Sequence, residues 1–116
     1  MLTEPFASLP PPPYYAVIFS SRRRDHDGDD GYDAAGTRMF ELVHGQPGFL
    51  GAESTRDESG FGITVAYFDS EDAIRAWRDH AEHARTRAQG RAAWYDRFAV
   101  RVAKVERAYG WERNDA

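Results

Sequence analysis

The stretch that decides the fold runs from residue 49 to 68 and reads FLGAESTRDESGFGITVAYF. Two runs rich in β-branched and aromatic residues, 49–56 and 61–68, flank the tetrapeptide DESG, which is typical of a turn. In the second run Ile63 and Tyr67 fall at alternating positions, so they share one face of a strand. The stretch therefore predicts a β-hairpin with two distinct faces.

A helix is predicted immediately upstream of the hairpin, between residues 32 and 44. Gly45-Gln46-Pro47-Gly48 ends it, because glycine suits a C-terminal turn and proline cannot continue a helix. Apolar side chains recur in it at spacings of three and four, which favours one buried helical face. These side chains are Ala35, Met39, Leu42 and Val43.

Farther upstream the sequence predicts a strand that follows an extended arm. YYAVIFSSR (14–22) is apolar at nearly every position as far as Phe19, so we expect both of its faces to be covered. Residues 23–31 form a charged loop between this strand and the helix. Residues 1–13 end in four prolines, which favour an extended conformation. We expect this Pro-rich arm to lie across a partner subunit.

Downstream of the hairpin the sequence predicts a second helix and a long last strand. Ser70 is a suitable N-cap, and the helix runs to Gly90. The strand runs from Trp94 to Tyr109, and its apolar residues change parity after Val102, which predicts a β-bulge there. One apolar helical face is marked by Ile74, Trp77, Ala81, Ala84 and Ala88.

The predicted order of elements, β-α-β-β-α-β, is the ferredoxin-like arrangement of an α+β fold, with an antiparallel sheet and both helices on one face. The other sheet face has no cover within the chain, so we expect a second copy to bury it in a homodimer. The predicted domain spans residues 14–110, between the arm and a short C-terminal tail at residues 111–116.

Composition excludes several functional classes. The chain has 116 residues and no cysteine, which indicates one domain without disulfides or thiolate metal sites. No apolar run is long enough to cross a membrane and no secretory signal is evident, so we expect a cytoplasmic protein. The net charge is −4, and the basic run Arg22–Arg24 is followed by aspartates, which argues against nucleic acid as a partner.

Several motifs together resemble the antibiotic biosynthesis monooxygenase family. They are QPGFLGAES (46–54), FGITVAYFDSEDAIRAW (61–77), the pattern of histidines, GR and WY between residues 80 and 95, and the closing VERAY (105–109). The resemblance extends over nearly the whole chain. It implies a dimeric α+β barrel and an activity that ranges, across the family, from cofactor-independent oxygenation of polyketide-like quinols to haem degradation.

The haem-degrading branch fits this sequence poorly. In that branch a tryptophan, matched here by Trp77, is followed about ten positions later by the iron-ligating histidine, where this chain has Arg87. The asparagine that the branch carries on its first strand is also missing. His80 or His83 remains as an alternative haem ligand. We therefore expect no cofactor.

A metal site is not expected either. His80 and His83 are spaced to share a cation on a helix, but zinc normally needs a third protein ligand. The acidic loop 25–31 resembles a calcium loop but has Asp30 where glycine is required and Gly36 where glutamate is required.

The candidate site lies on and after the second helix. On a continuous helix His80, His83 and Arg87 form a polar stripe beside Trp77. His80 borders the apolar face and is the candidate base, and Arg91 or Tyr95 is the candidate donor to a developing oxyanion. The candidate substrate-binding residues are Trp77, His83, Trp94, Phe19 and Tyr67.

Structural roles remain open for most of these residues: a solvated His83, a surface ion pair for Arg91, and core packing for Trp77, Phe19 and Tyr67. The sequence shows no nucleophile–base motif and no phosphate-binding loop. We therefore expect a cofactor-independent monooxygenase that acts on a small aromatic or polyketide-like substrate in a pocket between sheet and helices. The alternative is a non-catalytic homodimer that binds a small hydrophobic molecule or serves in a stress response, and haem binding is a weaker alternative.

Overall fold

The computed structural model describes residues 5–113, which form a four-stranded antiparallel sheet with its helices on one face. The strands lie in the order β2-β3-β1-β4. The strands are β1 (Tyr14–Arg23), β2 (Phe49–Arg56), β3 (Phe61–Phe68) and β4 (Tyr95–Val105). The helices are α1 (Tyr32–His44), α2 (Glu71–Asp79) and α3 (Ala81–Gln89), and a π-helical turn spans Gly90–Trp94. The predicted ferredoxin-like fold is confirmed.

The β2–β3 hairpin has the predicted limits because its turn is closed by a side chain. The Asp57 carboxylate accepts hydrogen bonds from the backbone N–H groups of Ser59 and Phe61, at 2.9 and 3.1 Å. A short aspartate is suited to this role because its oxygens reach the backbone two residues on. The turn thereby fixes the register in which Ala52 lies opposite Ala66.

Gly48, which lies between α1 and β2, has a backbone conformation and close neighbours that suit glycine and no larger residue. Its φ of 86° lies in the left-handed region that favours glycine. A Cβ atom at this position would lie 2.6 Å from Cβ of Ala73 and 2.5 Å from an oxygen of Asp69. The carbonyl of Gly48 also accepts the N–H of Asp69 at 2.8 Å. The turn before β2 is therefore hydrogen-bonded to the segment that links β3 to α2.

The second helix is not continuous, and the prediction of one helix from Ser70 to Gly90 is wrong in this respect. Ser70 is the N-cap as predicted, since its hydroxyl accepts the N–H of Ala73 at 3.1 Å. The helix then breaks at His80, which has φ −59° and ψ 126°. The break is satisfied locally, because Nδ1 of His80 accepts the N–H of Glu82 at 3.3 Å and so caps α3.

The last strand is shorter than predicted, and the predicted bulge after Val102 is absent. Pairing with β1 runs in register from Val105 opposite Tyr14 to Arg97 opposite Arg22, and the shift falls between Arg22 and Arg23. Apolar residues occupy both faces of β4, which is an edge strand and is largely exposed on both. Their positions therefore do not identify one buried face.

Directly paired residues share a face, so the register assigns each side chain to one side of the sheet. Phe68 is only 1% exposed and meets Phe49, which in turn meets His44 at the end of α1; the ring centroids are 5.5 and 4.9 Å apart. These contacts identify the helix side. Phe19 has the parity of the helix side, whereas Tyr67 lies opposite Ala16 on the far side.

The Pro-rich arm packs on the far side of its own sheet. The N–H of Ala7 donates to Oε2 of Glu53 at 3.2 Å, and Ala7 lies so close to Gly51 that an added Cβ would be 3.1 Å away. Tyr14 and Ala16 on this side are only 5% and 4% exposed. The arm thus contacts its own chain, and the expectation that it lies across a partner subunit stays a prediction. Residues 1–4 and 114–116 lie outside the described residues.

Apolar side chains remain exposed beyond the arm. On the far side Phe61 and Ile63 are 40% and 37% exposed. On the helix side the β4 edge presents Phe98, Val100 and Val102. Within residues 5–113 no helix is both long and apolar enough to span a bilayer. Homodimerisation and the limits of the arm and the tail stay predictions.

Candidate functional site

A group of hydrogen-bonding side chains closes one end of the sheet on its helix side. Nη2 of Arg56 donates to Oγ of Ser21 at 2.9 Å and to the hydroxyl of Tyr32 at 3.1 Å. The hydroxyl of Tyr95 donates to the same Tyr32 oxygen at 3.2 Å. We call Ser21, Tyr32, Arg56 and Tyr95 the hydroxyl cluster. Because Tyr32 accepts both bonds on its oxygen, its own O–H remains free to donate elsewhere.

The hydroxyl cluster is built to donate hydrogen bonds rather than to accept protons. Burial, followed by the hydrogen bond to Tyr32, raises the pKa of Tyr95 well above the ordinary value for tyrosine. Tyr95 therefore stays protonated at neutral pH. Arg56 is always cationic at neutral pH, and its Nη1 donates to the carbonyl of Gly60 at 2.6 Å. The cluster thus presents fixed donors and one positive charge.

A second layer holds the Tyr32 ring in place. The guanidinium of Arg23 lies 3.9 Å from the centroid of that ring and donates to both carboxylate oxygens of Asp30, at 3.0 and 3.1 Å. Trp94 donates its indole N–H to the carbonyl of Asp30 at 3.0 Å and is 3% exposed. Trp94 precedes β4 instead of opening it, and it is enclosed in the core.

Aromatic rings continue from the hydroxyl cluster along β1 and β4. Phe19 meets Tyr95 edge to face and lies tilted against Phe98, with both centroid distances 5.5 Å. Tyr32 meets Tyr95 at 5.8 Å. We call Phe19, Tyr32, Tyr95 and Phe98 the aromatic wall. It offers an apolar surface to a planar ligand, with phenolic donors at one end.

The helix break produces a second aromatic group. The imidazole of His83 stacks on the indole of Trp77, with centroids 4.1 Å apart and planes 9° apart. The ring of His80 lies 5.6 Å from the same indole. His80, His83 and Arg87 do not share a continuous helix, so the stripe predicted from helical spacing is corrected: only His83 and Arg87 belong to α3.

The predicted site residues therefore fall into separate places. Phe19 and Tyr95 belong to the aromatic wall; Trp77, His80 and His83 surround the helix break. Trp94 is in the core next to Tyr32.

Two predicted site residues stand apart from these groups. The side chain of Arg91 is exposed and makes no hydrogen bond or ion pair with residues 5–113. Tyr67 is separated from Phe19 by the sheet itself, because the two side chains have opposite parity. Tyr67 therefore faces the arm, and the expectation that both line one pocket is corrected.

Tyr32 and Arg56 were missed by the sequence analysis. A usable signal existed for Arg56, since it has the parity of Ala52 in β2 and so faces the helices. An arginine at an inward position of a strand needs buried partners. Tyr32 carries no such signal, because its partners are 24 and 63 positions away along the chain.

Two depressions lie on the surface of the described residues. A depression of about 310 Å³ is lined by Arg23, Tyr32 and the 26–33 loop, and another of about 330 Å³ lies between the Pro47–Gly48 turn and the start of α2. Neither is lined by Trp77 or His80. Within residues 5–113 no three histidine, aspartate or glutamate side chains are placed to hold a metal ion.

The environment of Tyr67 leads to a prediction about alkaline stability. Burial and the hydrogen bond to Glu53, 2.8 Å long, raise the pKa of Tyr67 to about 12. An unfolded chain ionises tyrosine near pH 10. The folded state therefore holds this proton more tightly, so stability is unaffected below about pH 10 and falls as pH rises from there towards about 12.

Urea unfolding over a series of alkaline pH values tests this effect. Tyr67→Phe is expected to decline less steeply with pH than the native chain. Tyr109→Phe is the matched control, because Tyr109 is 100% exposed and its removal is expected to leave the native slope unchanged. Equal slopes for the two variants would contradict the assignment.

The sequence of the chain is similar to a known family and to a known protein. A family model described as antibiotic biosynthesis monooxygenase matches residues 14–89. The uncharacterized protein YqjZ of Bacillus subtilis (strain 168) is 52% identical over 86 residues, which cover 74% of this chain and 75% of that protein.

Solved structures with low sequence identity share the fold. SnoaB, a cofactor-independent oxygenase from Streptomyces nogalater, superposes with a TM-score of 0.69 at 13% identity, over 84% of this chain and 97% of that chain. A dimeric ferredoxin-like protein of unknown function from Thermobifida fusca has a TM-score of 0.65 at 18% identity, over 86% and 99%.

Proposed function

The chain belongs to the antibiotic biosynthesis monooxygenase family, and from this premise we propose that it is a cofactor-independent monooxygenase of a small aromatic or polyketide-like substrate. The observation that carries the proposal is the hydroxyl cluster at the end of the aromatic wall. The fold shared with SnoaB, a cofactor-independent oxygenase, supports it. The substrate lies on the helix side of the sheet, against Phe19 and Phe98.

The proposed chemistry needs little protein machinery. An electron-rich phenol or quinol loses a proton, and its anion then reduces dioxygen directly. The protein has to bind the ring, remove the proton and stabilise the oxyanion. The aromatic wall binds the ring. The free O–H of Tyr32 donates to the oxyanion, while Tyr95 and Arg56 hold Tyr32 in position. The base is one of the two histidines at the helix break.

Oxygen consumption with a panel of quinols and phenols tests the function. Tyr32→Phe removes the proposed oxyanion donor but keeps the ring, and it is expected to lower kcat by about 10²- to 10³-fold. Tyr109→Phe removes an exposed hydroxyl and is expected to leave kcat unchanged. Native protein that consumes no oxygen above the uncatalysed rate with any member of the panel would refute the proposal.

One observation favours a non-catalytic alternative, a homodimer that binds a small hydrophobic molecule. Val100 and Val102 are each 52% exposed next to the aromatic wall, which gives an open apolar strip without the enclosure that water-sensitive chemistry needs. Saturable quenching of tryptophan fluorescence by a quinol, with no oxygen uptake, would support this alternative over the oxygenase.

A further inference from the structure

The helix break gives its two histidines different tasks. Nδ1 of His80 accepts the N–H of Glu82 at 3.3 Å, so His80 caps α3. Nδ1 of His83 lies 2.9 Å from the carbonyl oxygen of Trp77, the residue on whose indole its ring stacks. His80 thus has one ring nitrogen committed to the backbone as an acceptor, whereas His83 has one committed as a donor.

The carbonyl partner fixes the tautomer of His83. A carbonyl oxygen only accepts hydrogen bonds, so Nδ1 of His83 carries the hydrogen. In the neutral ring the lone pair then lies on Nε2. Nε2 has no hydrogen-bond partner among residues 5–113 and is not sealed from its surroundings. The stack on Trp77 and the bond from Nδ1 therefore aim a basic nitrogen away from the backbone.

The charges around His83 favour this neutral form. Burial lowers the pKa of His83, the positive charges of Arg87 and His80 lower it further, and only the hydrogen bond to Trp77 raises it. The adjoining helix α1 contributes Arg38, which is neutralised by Glu82 at 2.7 Å. His83 is therefore uncharged at neutral pH and ready to accept a proton.

Arg87 lies one turn beyond His83 on the same face of α3. Its Nη2 donates to the carbonyl of Arg78 at 2.7 Å, but its Nε is buried without a hydrogen-bond partner among residues 5–113. A buried guanidinium N–H with no acceptor is costly. Because this Nε is sealed from solvent, Arg87 contributes positive charge near His83 but does not offer this N–H to a ligand.

We propose that His83, and not His80, is the base of the reaction. The inference rests on the proposed function and names the residue that starts it. The phenolic O–H bond of the substrate breaks, an N–H bond forms at Nε2 of His83, and the electron pair stays on the substrate oxygen. The phenolate then reduces dioxygen by electron transfer.

Binding of p-nitrophenol tests the proton transfer without any turnover, because the nitrophenolate is coloured. Native protein is expected to bind the probe as the anion and to lower its pKa on the protein. His83→Phe keeps an aromatic ring for the stack on Trp77 but has no nitrogen, and it is expected to abolish the shift. His80→Asn, which retains an acceptor for the helix cap, is expected to keep the shift.

The pH profile of oxygen consumption with a quinol gives the second readout. Turnover of native protein is expected to fall at low pH along a single limb below the usual histidine range, and His83→Phe to lower kcat by about a hundredfold or more and remove that limb. His80→Asn is expected to keep it.

The two measurements separate the two proposals. A nitrophenolate shift and a pH limb that both survive in His83→Phe would overturn the role of His83 and leave the oxygenase standing. A shift that depends on His83, in a protein that oxidises no quinol, would support the proton-accepting role of His83 and refute the oxygenase. Melting curves of each variant show whether a lost signal reflects lost folding.

Discussion

Replacing Trp94 by alanine is expected to lower the free energy of unfolding by about 3–5 kcal/mol, which is the usual effect of removing a large buried aromatic ring. Trp94 is 3% exposed, packs edge to face on Tyr32 and donates its indole N–H to Asp30. Its carbonyl also accepts a hydrogen bond from the side chain of Arg23. The substitution would leave a cavity beneath the hydroxyl cluster, and the backbone carbonyl of Asp30 would lose the hydrogen bond from the indole.

Urea denaturation followed by circular dichroism measures this effect. Trp111→Ala is the matched control, because Trp111 is 76% exposed, and we expect its stability to remain within about 0.5 kcal/mol of native. Trp94→Phe keeps most of the ring and loses the N–H, so it is expected to fall between the two. A Trp94→Ala protein of native stability that fails to bind a quinol would instead support the substrate-binding role predicted from the sequence.

Gly48→Ala is expected to cost about 2–5 kcal/mol, because two penalties act at once. A residue with a Cβ atom pays about 1–2 kcal/mol to adopt the left-handed backbone seen at this position. The new methyl group would also overlap the side chains of Asp69 and Ala73, and overpacking of this kind costs about 1–3 kcal/mol. The strain would be relieved only if α2 moved away from the hairpin.

The control for this substitution lies in the same turn. Gly45 has φ −88°, and an added Cβ would be 3.6 Å from its nearest contact, the carbonyl oxygen of Leu42. Gly45→Ala is therefore expected to leave the melting temperature close to native, while Gly48→Ala lowers it. If both variants melt together with the native chain, the turn does not hold α2 against β3.

The elements that were predicted correctly are those determined by local sequence. The β2–β3 hairpin and the limits of α1 follow from alternation, helical periodicity and turn residues, all of which act within a few positions. The cap at Ser70 is equally local. The break at His80 was missed because histidine is not a usual cap residue. Its Nδ1 can accept the N–H of Glu82 only once the backbone at His80 has left the helical conformation.

The candidate site was less predictable because its contacts are long-range. Arg56 meets Ser21, and Tyr95 meets Tyr32, only after the sheet has formed. The separation of Phe19 from Tyr67 likewise depends on the register between β1 and β3. The parity change along β4 predicted a bulge, whereas the strand pairs in register with β1 and is largely exposed on both faces.

The arm carries a practical consequence for anyone who shortens this chain. Residues 5–13 precede the stretch matched by the family model, yet Ala7 and Leu9 pack against Gly51 while Ala7 shares Glu53 with Tyr67. A fragment that begins at the first matched residue, Tyr14, would expose this part of the sheet to water. Such a fragment is expected to self-associate and to bind other proteins through this exposed surface, which the arm covers in the intact chain.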